Sequence, residues 1–425
     1  MERYNSYKDS GVKWLGEIPN HWEVKRLASY FTERRVKVSD KEYEPLSVTK
    51  LGVFPQWENV AKTNDGDNRK LVKKGDFVIN SRSDRKGSSG VSDRDGSVSL
   101  INIVLQPRNT IRADFSNYLL KSYKFIEEYY RNGRGIVADL WTTRYDEMKM
   151  IKLAVPPLDE QSAIAAYLDI ATAKIDAAIA QQQKMIDLLN ERKQIIINRA
   201  VTKGLNPNAK MKDSGVEWIG EVPEDWEVRR LGSLGTFSKG GNISRDDLQE
   251  YGKCAILYGD IYTKYNIQTS KVKNHISEKV AEKSVRITKG DLIMTGSGET
   301  KEDIGKTIVY HGDEAFIGGD VILFRQQNND STFLSYALNS QYAKDFRYKE
   351  SKGEIIVHIY ASSLKRLFLA LPPIEEQIKV VKYLDGQIDA IDSEIDVINK
   401  QISLLQERKQ IIINEVVTGK VKVKE

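Results

Sequence analysis

Pro-Pro-Leu-Asp-Glu-Gln stands at residues 156–161 and returns as Pro-Pro-Ile-Glu-Glu-Gln at residues 372–377. Each copy continues to the same eight residues, Glu-Arg-Lys-Gln-Ile-Ile-Ile-Asn. Proline suits the first turn of a helix, and glycines that suit helix ends follow both runs, at Gly204 and Gly419. The sequence therefore predicts two long helices of the same kind.

Both predicted helices carry apolar residues at alternating spacings of three and four, which is the heptad pattern of a coiled coil. The pattern is weaker in the first copy, where Thr172 and Gln182 occupy seam positions. A strict heptad stripe is narrower than a core-facing stripe, so we expect the two stripes to bury each other. The predicted seam consists of Leu168, Ile175, Ile179, Ile186, Leu189, Leu384, Ile388, Ile391, Ile395, Ile398, Ile402 and Leu405. Two alternatives stay open, in which each helix packs on its own domain or pairs with an outside partner.

Two lysines, Lys193 and Lys409, interrupt the two seams at the same place. A polar residue there could fix the register of an antiparallel helix pair. We interpret both instead as residues whose stems pack in the seam while their ammonium groups reach solvent.

Other repeated segments complete a frame around each helix. Lys-Gly-Asp occurs at residues 74–76 and again at residues 289–291, each time before a β-rich run. Tryptophans recur at identical spacing in the two copies and are therefore expected to serve packing: Trp14, Trp22, Trp218 and Trp226.

The stretches between the repeated segments diverge, which suggests one fold with two specificities. Their β-rich runs and aromatic-rich helical runs predict mixed α/β domains. We therefore predict an α+β fold with mixed α/β domains at residues 1–157 and 204–373, separated by two long antiparallel helices at residues 158–203 and 374–425. Two copies of one unit imply a pseudo-twofold molecule. The segment expected after the second helix stands instead at the N-terminus, so the arrangement is cyclic and the termini should lie close together.

Composition narrows the class of protein. A chain of 425 residues exceeds one ordinary core, and its net charge of +5 is a weak indication of nucleic-acid binding. No apolar run approaches the ~18 residues of a membrane span, and no apolar signal region follows Met1, so a cytoplasmic protein is expected. The single cysteine, Cys254, excludes an internal disulfide and a multi-cysteine zinc site.

The duplicated frame resembles the specificity subunit of type I restriction–modification systems. The Pro-Pro, Glu-Arg-Lys-Gln, tryptophan-rich and Lys-Gly-Asp segments carry the resemblance, because all of them are duplicated in the same order. The resemblance implies two target recognition domains that each read half of a split site in double-stranded DNA. The helices would act as a spacer and as a dock for two DNA methyltransferase subunits and for restriction subunits. It also implies no catalytic activity and no cofactor in this chain, since S-adenosylmethionine and ATP would bind to the partners.

Base reading needs side-chain donors and acceptors, and phosphate binding needs cations. The loop after each Lys-Gly-Asp strand supplies both kinds of group, and glycine-flanked cations precede each helix. With an aromatic and basic run in the second domain, the candidate DNA contacts are Asn80, Ser81, Arg82, Arg85, Lys86, Arg94, Arg134, Tyr258, Tyr262, Lys264, Thr295, Ser297, Lys301 and Lys352. Because the two domains diverge, the full site should not be palindromic.

Two other functions compete with DNA recognition. One is a coiled-coil scaffold that binds only protein partners. The other is a metal-dependent nuclease that uses Asp139 with Glu147 and Lys149, a spacing that arises easily by chance in a charged chain. No metal site is expected, because the four histidines are scattered along the chain.

Overall fold

The computed structural model describes residues 2–56, 66–135 and 141–423. Its contacts divide the chain into two compact units, Met1–Gln183 with Asn399–Glu425, and Lys184–Ile398. Both divisions fall within long helices, so each unit holds part of each helix.

Among its described residues, the first unit contains antiparallel sheets of four and three strands, three two-stranded sheets and three short α-helices. Its elements are β1 (Tyr7–Asp9), β2 (Glu17–Pro19), β3 (Glu23–Arg26), β4 (Phe31–Glu33), β5 (Lys37–Val38), β6 (Leu46–Val48), β7 (Val53–Pro55), β8 (Arg69–Val72), β9 (Phe77–Asn80), β10 (Ser89–Val91), β11 (Gly96–Ser99), β12 (Asn102–Pro107), α1 (Ala113–Lys121), α2 (Tyr123–Arg131), α3 (Tyr145–Met148) and β13 (Lys152–Val155). The four-stranded sheet has the order β10-β9-β12-β4 and the three-stranded sheet β11-β8-β5. All four residues of β9 are buried, so this strand is a fixed support for the loop that follows it.

The second unit is built on two five-stranded sheets. Its elements are β14 (Met211–Asp213), β15 (Glu221–Pro223), β16 (Glu227–Arg230), β17 (Gly235–Lys239), β18 (Leu248–Gln249), β19 (Lys253–Ile256), α5 (Tyr258–Thr263), β20 (Gln268–Thr269), β21 (Asn274–Ile276), α6 (Glu278–Ala281), β22 (Val285–Thr288), β23 (Leu292–Thr295), β24 (Ser297–Gly298), β25 (Thr307–Tyr310), β26 (Glu314–Ile317), β27 (Val321–Gln326), α7 (Ser331–Leu338), α8 (Gln341–Glu350), β28 (Val357–His358), α9 (Ala361–Leu364) and β29 (Phe368–Leu371). The sheets have the orders β17-β27-β23-β25-β20 and β18-β21-β19-β26-β22. The wholly buried β23 follows the second Lys-Gly-Asp turn, as β9 follows the first.

The two predicted helices begin directly after the proline pairs. They are α4 (Leu158–Lys203), with 46 residues, and α10 (Ile374–Val417), with 44 residues. At about 1.5 Å per residue, each is roughly 65–70 Å long. No helix within the described ranges is long and apolar enough to cross a membrane.

Within each unit the two helices pack in antiparallel order. In the first unit, Leu168 from the first half of α4 shares a core with Val416 from the end of α10. In the second unit, Val201 from the end of α4 shares a core with Leu384 from the start of α10. The predicted fold of mixed α/β domains with paired antiparallel helices is confirmed. The same cores also contain domain residues, so the helix ends pack on the domains as well as on each other.

Burial along the seam decreases away from the domains. Leu168 and Leu384 are fully buried, whereas Ile179, Ile395 and Ile402 are only partly buried. A pair of helices covers a narrow stripe, so seam residues beyond the domains keep some exposure.

The glutamine of each Pro-Pro segment ties a helix start to its domain. Oε1 of Gln161 accepts a hydrogen bond from the backbone amide of Arg112 at 2.8 Å, and Nε2 donates to the carbonyl of Pro156 at 2.9 Å. Gln377 makes the same two kinds of bond at 2.8 and 2.9 Å, the first from the amide of Asp330. Both side chains are buried, so each satisfies backbone groups that water cannot reach.

A tryptophan packs beside each of these glutamines. The indole of Trp22 donates to Glu160 at 3.2 Å, and that of Trp226 donates to Glu376 at 3.1 Å. Both indoles are fully buried, which confirms their packing role. Trp218 differs, because it remains 44% exposed.

The asparagine that ends each repeated run reaches a short domain helix. Oδ1 of Asn198 accepts from the amide of Gln341 at 2.6 Å, at the start of α8. Oδ1 of Asn414 accepts from the amide of Lys124 at 3.2 Å, near the start of α2. The end of each long helix therefore caps a helix that would otherwise leave amides unpaired.

The two termini lie together in the first unit. Gly419 ends α10 with a φ of +71°, and a Cβ there would overlap Pro19 and crowd Trp22. The amide of Lys422 donates to the carbonyl of Glu2 at 2.8 Å. The prediction that the termini lie close together is confirmed.

The seam lysines are paired with aspartates. Nζ of Lys193 lies 2.7 and 2.8 Å from the two carboxylate oxygens of Asp392. Nζ of Lys409 lies 2.7 and 2.6 Å from those of Asp176. Each ammonium group binds a carboxylate on the opposite helix, a pairing that the interpretation did not include, and the Lys409–Asp176 pair keeps some exposure. Both pairs describe the same antiparallel register, since the partners' residue numbers have the same sum.

Replacing Gln377 with Leu should destabilise the second unit. The variant keeps the side-chain volume but leaves the amide of Asp330 and the carbonyl of Pro372 unpaired in the interior. We expect the free energy of unfolding to fall by about 3 kcal/mol, measured by urea unfolding of the full chain. Gln401→Leu, at an exposed position on α10, is the matched control; equal effects from both variants would contradict this account.

Candidate nucleic-acid interface

The Lys-Gly-Asp turn positions the strand that leads to each candidate loop. The glycine of each turn has a φ of +91°, in the left-handed region that favours glycine. The aspartate of each turn is buried and paired with an arginine, Asp76 with Arg34 at 2.6 Å and Asp291 with Arg325 at 3.0 Å. The hydrogen bond that Arg34 donates to Asp76 raises the pKa of Arg34. The turns are therefore structural, and the loops beyond β9 and β23 are the surfaces to compare.

In the first unit, the structure brings two predicted segments together. Arg82 follows β9, Arg134 follows α2, and both form β-bridges with Thr142. Arg134 is 84% exposed and lies 3.5 Å from Glu147. Arg82 is also exposed and has no side-chain partner among the described residues. Arg85 is exposed as well, and we call the surface formed by Arg82, Arg85 and Arg134 the basic edge.

Besides Ser297, which is described below, three of the predicted contacts are buried. Asn80 and Ser81 are each 6% exposed, and the side chain of Asn80 accepts from the amide of Arg82 at 3.0 Å. Thr295 in the second unit is fully buried. The structure therefore places these three side chains in the interior, where they cannot reach an outside partner without movement.

Two further predicted cations differ from Arg82 and Arg134. Arg94 lies away from them, and Lys86 is paired with a carboxylate. Arg94 follows β10, which pairs antiparallel with β9, so it lies at the opposite end of β9 from Arg82. It binds the neighbouring Asp93 at 2.8 Å. Lys86 lies close to Arg85 in sequence, but its ammonium group is 2.6 Å from Glu127.

The second unit repeats the bridged arrangement with different residues. Ser297 pairs with His358, and Lys352 bridges to the same His358. The Ser297 hydroxyl lies 2.9 Å from Nδ1 of His358, and Ser297 is buried. Lys352 is exposed, and Nζ of Lys301 lies 5.9 Å from the ring centre of Tyr348. Where the first unit presents arginines, this edge presents lysines, a histidine and an aromatic ring.

A groove of about 1070 Å³ opens beside this edge. Tyr258, Tyr262 and Lys264 line it, so the structure brings these three predicted residues together. The Tyr262 hydroxyl donates to the carbonyl of Ser297 at 3.0 Å, and burial raises the pKa of Tyr262 to about 12. Lys264 is held 2.6 Å from Asp260. The groove and the edge therefore form one continuous candidate surface.

Sequence reasoning missed two segments that line the groove, residues 242–247 and 318–320. They approach each other so closely that a Cβ on Gly240 would overlap the carbonyl oxygen of Gly318. Glycine pairs precede or begin both segments, at residues 240–241 and 318–319. Those pairs, each followed by Asn or Asp, are the signal that could have found them.

The charges of the groove favour amino groups over phosphates. Arg245, Glu299 and Asp320 have no side-chain partner among the described residues. Carboxylates repel phosphates but accept hydrogen bonds from the amino groups of cytosine, while arginine matches guanine. Its charged lining residues are Arg245, Asp247, Asp260, Lys264, Glu299, Asp303 and Asp320.

Two of the three nuclease candidates, Glu147 and Lys149, lie within the described residues. Asp139 lies outside the described residues. Glu147 accepts from the amide of Arg144 at 3.1 Å, and Lys149 binds Asp146 at 2.6 Å. Across the described ranges, no cluster of His, Cys, Asp and Glu could hold a metal ion. Glu147 and Lys149 therefore have partners that stabilise α3.

Comparison with known proteins supports the resemblance to type I specificity subunits. The family described as "Type I restriction modification DNA specificity domain" matches residues 223–404. The type I restriction enzyme MjaVIII specificity subunit of Methanocaldococcus jannaschii is 26% identical over 450 aligned positions, covering 98% of this chain and 97% of the relative. A protein provisionally named the MjaX specificity subunit, from the same organism, is 25% identical and covers 98% of both chains.

A solved structure shares the fold. A chain from a study of complex assembly and conformational transition in the type I R-M system has a TM-score of 0.70 at 15% identity. The match covers 94% of this chain and 98% of that one. The resemblance to type I specificity subunits is thus confirmed, and residues 223–404 match the model of that family's DNA specificity domain.

Proposed function

We propose that this chain is the sequence-recognition subunit of a type I restriction–modification complex. Its two recognition domains read the two halves of a bipartite, non-palindromic site in double-stranded DNA. The observation that carries the proposal is the contrast between frame and surface. The helix junctions repeat their main hydrogen bonds and each Lys-Gly-Asp turn holds a buried aspartate paired with an arginine, while the Arg82–Thr142–Arg134 and Ser297–His358–Lys352 edges differ.

Different edges should read different half-sites. The basic edge of the first unit offers guanidinium groups, which bind phosphates and the guanine edge. The groove of the second unit offers carboxylates and tyrosines beside Arg245, a set suited to amino-bearing bases. The domains proposed for the two half-sites are residues 1–157 and 204–373, with residues 158–203 and 374–425 as spacer helices.

An exposed apolar stripe on the helices supports partner docking. Tyr383, Val397, Leu404 and Ile411 of α10 are separated by multiples of seven residues and are 41–63% exposed. Such a stripe on a helix pair suits further helices packed in the same manner. We assign this surface to two methyltransferase subunits, with restriction subunits joining the assembly. S-adenosylmethionine and ATP would bind to those partners, this chain would catalyse no reaction, and the complex would act on DNA in the cytoplasm.

Exchange of one recognition domain should change one half-site. Residues 28–150 are replaced by the equivalent domain of a relative, and the chain is expressed with its methyltransferase partner. Methylome sequencing should show a bipartite motif altered in one half, with the other half and the spacer retained. A motif unchanged in both halves would contradict the proposal, and methylation without sequence preference would favour the scaffold function.

Loss of the basic edge should weaken DNA binding through the phosphates. For the double variant Arg82→Ala with Arg134→Ala, we expect weaker binding to specific and unrelated duplexes alike. The logarithm of the affinity decreases with the logarithm of the salt concentration, and the steepness of this decrease should be smaller by about 2 in the variant. Fluorescence anisotropy measures the affinities. Arg94→Ala, at the far end of β9, is the control and should leave the slope unchanged; an equal loss in the control would remove the special role of this edge.

A further inference from the structure

A short hairpin in the second unit exposes two isoleucines at its tip. Ile355 is 89% exposed and Ile356 57% exposed. The next residue, Val357, begins β28 and is buried. Most exposed apolar residues are isolated and need no explanation, but two adjacent ones at this exposure are unusual for a solvated loop.

The base of this hairpin is rigidly held. Lys352 and His358 exchange two backbone hydrogen bonds, at 3.0 and 2.8 Å. Gly353 turns the chain with a φ of +108°, and a Cβ there would overlap the carbonyl oxygen of Ile356. On the other side, His358 pairs with Ser297 in β24. The tip therefore projects from a fixed support.

The hairpin belongs to the candidate interface. Gly298 lines the groove and also pairs with Val357, the residue that follows the tip. Two exposed cations, Lys349 and Lys352, flank the tip, and one exposed carboxylate, Glu354, precedes Ile355. An apolar tip with an excess of cations beside it matches a DNA duplex, in which phosphates surround stacked apolar bases.

The first copy carries the same pattern in its sequence. Between Arg134 and Thr142, which correspond to Lys352 and His358, stand Gly135, Ile136 and Val137. Both copies therefore place two adjacent branched apolar residues shortly after a cation and glycine, directly in the first copy and after Glu354 in the second. Ile136 and Val137 lie outside the described residues.

We propose that Ile355 and Ile356 form a wedge that inserts between two base pairs and unstacks one step of the half-site read by the second domain. This proposal rests on the DNA-recognition function proposed above. An inserted apolar side chain replaces part of the lost base stacking, and the flanking lysines neutralise the phosphates of the bent backbone. The wedge would add specificity without hydrogen bonds, because pyrimidine–purine steps unstack most easily.

The test uses the full chain and a synthetic duplex that carries the methylated motif, with 2-aminopurine placed in turn at each step of the half-site. Unstacking raises the fluorescence of 2-aminopurine. We expect the wild-type chain to raise it at one step, and Ile355→Ala with Ile356→Ala to abolish the rise and weaken binding about tenfold. Both side chains are exposed, so the thermal midpoint of the variant should match that of the wild type.

Lys352→Ala is the matched control, because it should weaken binding while the saturated complex keeps its fluorescence. Sequence-specific binding without any fluorescence rise, or with the same rise in the isoleucine variant, would overturn the wedge alone. No sequence-specific binding by the wild-type chain would overturn the proposed function and the wedge with it. Normal DNA binding by the isoleucine variant with loss of the methyltransferase partner would identify a protein-docking surface instead and overturn the wedge.

Discussion

The structure depends on the burial of two apolar stripes, one on each long helix, because exposing them to water would be unfavourable. The stripes run along most of α4 and α10, and each helix extends well beyond the domain that precedes it. Pairing covers the stripes, and the Lys193–Asp392 and Lys409–Asp176 pairs fit only one antiparallel register. The helix ends also pack in the domain cores. The pairing of the helices therefore helps to position the residues at the junctions between helix and domain.

The repeated motifs acquire separate physical roles in that arrangement. Gln161 and Gln377 satisfy buried backbone groups at the helix starts, and Asn198 and Asn414 cap domain helices at the other ends. These bonds recur because each solves the same problem in each unit. Between them, Arg82 and Ser297 occupy corresponding places with unlike chemistry. A frame of this kind lets the reading surfaces differ without disturbing the helices that hold them.

Features set by local sequence were predictable. The helix starts, the seam and the meeting of the termini follow from prolines, heptad spacing and the order of the repeats. The groove was not predictable, because it joins residues 242–247 to residues 318–320 through close glycine contacts that no periodicity shows. Burial of Asn80, Ser81 and Thr295 was missed for a related reason. A polar residue at a strand end looks the same in sequence whether it points inward or outward.

The central claim is that the helix pair sets the spacing between two half-sites. The most direct measurement removes one heptad from each helix, residues 179–185 of α4 and 400–406 of α10, which lie in sequence between the residues of the two Lys–Asp pairs. Seven residues span about 10 Å of helix. Methylome sequencing should then show both half-sites unchanged and the spacer shortened by up to about three base pairs at ~3.4 Å per base pair. Methylation at the original spacing would contradict the account.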